Sequence, residues 1–287
     1  MTNITYTSSD GTVFDLMADM SFRLKKAQFH NFEFQPDVTA LQFGERVERW
    51  RQGAATYAAQ ILFKGPRSAR MAALDTFHKA IERDIICKSP GILTWGNSYI
   101  SAYIRSSGTY PGESNDTETY NDVEIYCPSP AWITEQHIII EPIEQQQSLR
   151  ETDIQYAPSY GYDYSYMKFQ DTSKNIYVDH FVPCDFKAAL YGPVAAVDIS
   201  MGNLSLKVNH AVPAGGRMVI DTREAVEADR HCYLEVNGQI RNCFNDRDPE
   251  STLLGKIEPG FNRVVYGRTT RLELTIYRER SEPGWTG

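Results

Sequence analysis

From Phe186 onward, short runs of alternating apolar residues recur at even intervals, each closed by a cluster of Gly, Pro, Asn or Asp. Leu204, Leu206 and Val208 alternate with Ser205 and Lys207, and Leu272, Leu274 and Ile276 alternate with Glu273 and Thr275. Successive side chains of a strand point to opposite faces, so such a run buries one face and wets the other. A helix would need its apolar residues three and four apart, and this region lacks that spacing. Many short strands of this kind predict an antiparallel sandwich.

The first half follows the same rhythm with one interruption. Tyr57, Ala59, Ile61 and Phe63 alternate, as do Ile100, Ala102 and Ile104, and then Val123, Ile125 and Cys127. Between them, Pro66 and Ser68 open a stretch in which Met71, Leu74, Phe77 or His78, and Ile81 share a helical face. Pro suits a first helical turn, and Lys88-Ser89-Pro90-Gly91 supplies the stop. Residues 106–117 are rich in turn formers and poor in apolar side chains, which predicts an exposed loop. Glu141-Pro142-Ile143-Glu144-Gln145-Gln146-Gln147-Ser148 abandons alternation and reads as a connection. The expected organisation is a first domain over 1–143, a connection over 144–180 and a second domain over 181–287.

That connection carries a run of tyrosines. Tyr160, Tyr162, Tyr164 and Tyr166 are spaced by two, so on a strand they share a face. Two readings stay open: the rings pack an edge strand onto a sheet, or they form an aromatic contact surface, since Tyr offers area at little entropy cost. On the second reading Tyr160, Tyr162 and Tyr164 are the candidate partner contacts.

Signals for chemistry are missing. No G-x-S-x-G elbow or phosphate-cradling glycine loop occurs, and the six histidines never stand at ligand spacing. The pairs Glu141 with Glu144 and Asp221 with Glu224 are not distinctive among 37 acidic residues. Asn245-Asp246-Arg247-Asp248 resembles a calcium loop fragment but lacks the glycine and the closing Glu, so a turn is expected. No catalytic, cofactor or metal residue is assigned, and an enzyme is not expected. A net charge of −8 without a basic stripe argues against tight nucleic-acid binding. No run approaches the roughly 18 apolar residues of a membrane span. Met1-Thr2-Asn3-Ile4 has neither a basic nor an apolar leader region, so folding in a cytoplasm is expected, with the five cysteines as buried free thiols. Cys232 and Cys243 are placed to face each other across a hairpin.

Longer words then come into view. Phe186 to Ile199, Leu204 to Val208, Arg217-Met218-Val219-Ile220-Asp221-Thr222 and Pro259-Gly260-Phe261-Asn262-Arg263-Val264-Val265 resemble, in that order, the second half of the distal tail proteins of long-tailed, non-contractile bacteriophages and related prophages. Tyr57 to Gly65, the helix after Pro66 and Cys127-Pro128-Ser129-Pro130-Ala131-Trp132 resemble the first half. The likeness spans about residues 10 to 135 and 175 to 280. It implies a mainly β protein: an N-terminal split β-barrel with one α-helix, then a C-terminal galectin-like antiparallel β-sandwich. It further implies a tail-tip or baseplate hub at the virion tail tip, assembled in the host cytoplasm. Six copies would form a ring joining the tail tube protein to a tail-tip or tail-associated hub protein and to receptor-binding proteins. The alternative is a carbohydrate-binding adhesin module recognising host glycans, for which exposed aromatics beside Asp or Asn are required. Two stretches depart from the resemblance: Glu141 to Asp179, and the long start before Tyr57. Each is a place for a variant-specific contact.

Overall fold

The computed structural model describes residues 3–17, 22–110, 118–142, 173–224, 226–267 and 269–285. The chain is mainly β, antiparallel throughout its described pairings, with a single α-helix among the described residues. It divides into two compact units, Met1–Glu135 with Glu279–Gly287, and Gln136–Arg278.

The first unit holds β1 (Ile4–Thr7), β2 (Val13–Asp15), β3 (Phe22–Ala27), β4 (Gln35–Ala40), β5 (Glu45–Arg51), β6 (Ala55–Lys64), α1 (Arg67–Ile86), β7 (Gly91–Trp95), β8 (Ser98–Tyr110), β9 (Glu118–Cys127) and the start of β10 (Trp132–Ile140). The long β8 turns the sheet. Its first residues pair with β7 and its later ones with β9, with a register shift between Ile104 and Ser106. A second shift lies between Leu24 and Lys26, where β3 pairs with β6. Bulges of this kind bend a strand and sharpen its twist. The order β3-β6-β9-β8-β7-β1-β2 therefore curls round until Leu24 N–H donates to the Leu16 carbonyl at 2.8 Å. That bond links the end of β2 to β3, which makes the unit a barrel with a thin seam.

Helix α1 lies against this barrel. Leu74, Phe77 and Ile81 are buried at its inward face, and Phe77 meets Phe14 edge-on at 5.3 Å. Met71, expected on that face, is exposed, while Arg70 and Asp84 are buried instead. Asp84 explains its own burial. Its carboxylate accepts from Tyr6 Oη (2.6 Å), Ser8 Oγ (2.8 Å), Ser9 N (2.9 Å) and Ser9 Oγ (2.6 Å). Burial alone would raise the Asp84 pKa, but the hydrogen bonds from Ser9, Tyr6 and Ser8 prevail and lower it. The helix then ends as a Schellman motif. Lys88 N–H donates to Ile85 O and Ser89 N–H to Asp84 O, with Lys88 at φ 53°.

Residues 106–110 also differ from expectation, continuing β8 rather than forming a loop. Pairing with β9 overrides their turn-forming composition, and Ser107 Oγ donates to Asn121 Oδ1 at 2.8 Å. Residues 111–117 lie outside the described residues.

The second unit continues β10 and holds β11 (Ser173–Val178), β12 (Asp185–Tyr191), β13 (Val197–Met201), β14 (Leu204–Val208), β15 (Gly216–Asp221), β16 (Cys232–Val236), β17 (Gln239–Asn242), β18 (Gly260–Val265) and β19 (Leu272–Arg280). One sheet runs β17-β16-β15-β12-β19 and a second runs β11-β18-β13-β14. The alternation seen in the sequence fills the space between them. Phe186, Ala188 and Leu190 from one sheet and Val197, Ile199, Leu206 and Val264 from the other share one buried cluster.

The words carrying the family resemblance turn out to be structural pins. Thr222 Oγ1 accepts from Phe186 N–H at 2.9 Å and sits 3.0 Å from Asp185 Oδ1, which it donates to. Asn262 Nδ2 donates to the Glu258 carbonyl at 2.7 Å, holding the turn into β18. At Gly192 an added Cβ would fall 2.1 Å from the Pro213 carbonyl oxygen, so only glycine allows the two segments to approach.

Candidate assembly surface

Beyond the barrel core, β4 and β5 form a two-stranded ribbon that pairs with no other strand among the described residues. From Asn31 to Arg51 every side chain is exposed except Asp37, which is half-buried. The register places Gln35 opposite Arg51, Pro36 opposite Trp50, Asp37 opposite Arg49, Val38 opposite Val47 and Thr39 opposite Arg46. Partners across an antiparallel ladder share a face. One face therefore carries Gln35, Asp37, Thr39, Arg46, Arg49 and Arg51, and the other Pro36, Val38, Ala40, Val47 and Trp50, with Glu45 at its end opposite Ala40.

A bulge makes this two-sidedness. Glu48 is the extra residue at the register shift between Asp37 and Val38, and by standing outside the ladder it leaves Val47 on the side of Trp50, where a regular strand would put it with Arg49. On the charged face Arg49 and Arg51 both donate to Asp37 Oδ2, the latter at 2.5 Å, and hold its carboxyl below the ordinary range, Arg49 foremost. On the apolar face no described residue covers the side chains: Trp50 is 61% exposed, and Val38 and Val47 44% each. Phe43 stands at the tip at 88% exposure, with Leu41 beside it, and Phe32 and Phe34 meet edge-on near the base at 5.6 Å.

Scattered exposed apolar residues are ordinary, but a contiguous apolar face on a projecting ribbon marks an interaction site. A lone two-stranded ribbon is also marginally stable in water, and a packing partner on the apolar face stabilises it. Sequence reasoning singled out the long start before Tyr57 but placed no strand there. Pro36 disfavours a strand assignment, and the bulge breaks the alternation that would have revealed β5.

A second exposed feature lies on the sandwich. Tyr177 of β11 pairs with Phe261 of β18, their rings 4.9 Å apart, and Asn175 pairs with Arg263 one step along the same outer face. The tyrosine candidates Tyr160, Tyr162 and Tyr164 lie outside the described residues.

Two of the histidines take ordinary partners: His78 joins Ser107 and Asn121, and His231 joins the Asp221 carbonyl. Asp221 pairs with Arg223 at 2.7 Å rather than acting with another carboxylate. Of the five cysteines, four are buried free thiols and Cys87 is exposed, against expectation, just beyond the helix end. Burial pushes the Cys127 thiol up to about 12, far from a nucleophile's range.

Neither a protein-family model nor a curated protein matches the chain. Solved structures do. A chain of the phage P2 baseplate, in its activated conformation with calcium, aligns at a TM-score of 0.67 and 12% identity, covering 99% of this chain and 100% of that one. The strontium form of the same baseplate gives 0.66 at 12% identity, with the same coverage. The SPP1 Dit protein (gp 19.1), described as a paradigm of the hub adsorption apparatus of phages infecting Gram-positive bacteria, gives 0.61 at 10% identity, covering 98% of this chain and 99% of that one. This is the fold of a phage baseplate hub. Among the described residues, the β4–β5 ribbon carries a contiguous exposed apolar face. No helix among the described residues is long and apolar enough to cross a membrane.

Proposed function

We propose that the chain is a structural hub of a phage tail tip or baseplate. Six copies close into a ring that joins the tail tube to tail-tip and host-adhesion components in the virion, after assembly in the host cytoplasm. The observation that carries this reading is the likeness of nearly the whole chain to baseplate and hub proteins. The β4–β5 ribbon supplies the means: its apolar face packs on a neighbouring copy. Because the ribbon and the surface that receives it are different patches, the contact is head-to-tail, and it closes into a ring only at one fixed rotation.

The test is the mass of the assembled full-length chain, by native mass spectrometry and negative-stain imaging, alone and with a tail tube protein. A six-membered ring is expected, lost when Trp50 is replaced by Glu. Another closed symmetry in the assembled tail would refute the reading.

The Tyr177–Phe261 pair beside Asn175 and Arg263 favours a second function, glycan binding on the sandwich. Aromatic faces stack on sugar rings while flanking amides and guanidinium groups bond hydroxyls. A glycan array probed with the wild type and a Tyr177→Ala, Phe261→Ala double variant decides it. Equal signals from both proteins would remove this reading.

A further inference from the structure

His210 is remote in sequence from Cys243 and Asp246, yet the donor atoms of all three lie within 4.8 Å of one another. The backbone builds this meeting. The 3-10 turn Phe244–Asp246 follows Cys243 directly, and three residues per turn bring Cys243 and Asp246 to one side. Asp246 N–H donates to the Cys243 carbonyl at 3.0 Å, fixing that turn. His210 comes from the loop after β14, where Asn209 N–H donates to the Asp246 carbonyl at 2.8 Å and Val208 bridges to Arg247. The result places His210 Nδ1 3.1 Å from Asp246 Oδ2, over the buried Cys243 sulfur.

We propose that His210, Cys243 and Asp246 form a binding site for a zinc-class divalent metal ion that clips the two sheets of the sandwich together. The donor set selects the ion. A thiolate with an imidazole and one carboxylate suits zinc or cobalt, whereas calcium and magnesium need an all-oxygen shell. Metal–ligand bonds of about 2.0–2.3 Å put tetrahedral donors roughly 3.3–3.8 Å apart, so side-chain rotation of about 1 Å draws this group in. The Cys243 thiol donates to the Arg241 carbonyl at 3.5 Å and gives up that proton when the ion binds. Nearby Arg247 is engaged elsewhere, its guanidinium stacked 4.2 Å over the Phe244 ring and donating to the Phe244 carbonyl.

The His210 and Asp246 side chains are partly exposed, which opens one side of the group to entry and leaves the fourth position to water. Cys232 is fully buried and stands outside the group. Because β14 belongs to one sheet and Cys243 follows β17 of the other, the bound ion ties them much as a cross-link would.

The experiment uses the full-length chain, reduced and stripped of metal with EDTA, then titrated with Co²⁺ and afterwards with Zn²⁺. A thiolate-to-cobalt charge-transfer band in the near ultraviolet is expected, saturating at one equivalent and bleached by zinc. Zinc also raises Tm. Cys243→Ser removes the band, while His210→Ala and Asp246→Asn each weaken binding by roughly tenfold or more. Cys232→Ser leaves the band unchanged. Should Cys243→Ser fail to fold, His210→Ala, at a partly exposed position, carries the test. Absence of the band at one equivalent, or undiminished affinity in His210→Ala, overturns the site and leaves a His–Asp pair over a buried thiol.

Discussion

The ribbon β4–β5 and the hairpin β13–β14 are built alike and end differently. Each is a pair of short antiparallel strands with one apolar face and one polar face. In β13–β14 the apolar residues Val197, Ile199, Met201, Leu204, Leu206 and Val208 are all buried against the opposite sheet. In β4–β5 Val38, Val47 and Trp50 meet solvent. Amphipathic patterning thus demands a cover without saying whether the same chain provides it. Where it does not, the pattern is a request for a partner.

Replacement of core and ribbon residues should break the two cases apart. Leu206→Ala removes a fully buried side chain and is expected to cost about 3 kcal/mol, whereas Trp50→Ala should change stability by less than about 0.5 kcal/mol. Urea unfolding of both variants checks this. Equal losses would mean the ribbon is covered after all.

Acid should separate the two depressed carboxyls. A lowered folded pKa contributes stability in full above the unfolded value of about 4, and that contribution is lost as pH falls through the folded pKa. Asp84 is buried and accepts from Tyr6, Ser8 and Ser9, so Asp84→Asn should cost roughly 2 kcal/mol at neutral pH and flatten the acid limb of the stability profile. Asp37 owes its lowering to exposed arginines that water and salt screen, so Asp37→Asn should leave that limb unchanged. Thermal melts between pH 7 and pH 3 test both.

If a second copy covers the ribbon, Trp50→Ala should weaken assembly by more than about 1 kcal/mol while Tm stays constant, as sedimentation at graded concentration would show. The smallest effect is expected where nothing is covered at all. Lys88 holds φ 53° at the helix end, and Lys88→Gly should stabilise the fold by up to about 1 kcal/mol, read as a small rise in Tm.

Much of the fold was legible in the sequence because its strands bury one face each. The alternations at 57–63, 100–104, 123–127, 204–208 and 272–276 all became strands, and Pro66 does open the helix. What escaped notice depended on residues distant in sequence. Arg70 and Asp84 face inward while Met71 does not, and for Asp84 the reason is three partners some 75 residues away. Ser106 and Ser107 became strand because β9 was available to pair with them. The ribbon was hidden by one bulge and one proline. Cys243 and Asp246 stand three apart, but nothing local joined His210 to them, since β14 and the turn after β17 meet only in the folded sandwich.

The bulge at Glu48 has an evolutionary consequence. Because the bulge takes Glu48 out of the alternation, an in-frame loss of that one codon would leave Val47 beside Trp50 and Arg46 among the arginines, while the bend that the bulge puts into the ribbon would go. A lineage could thereby straighten or re-aim this sticky surface in one genetic event without rebuilding the barrel that carries it.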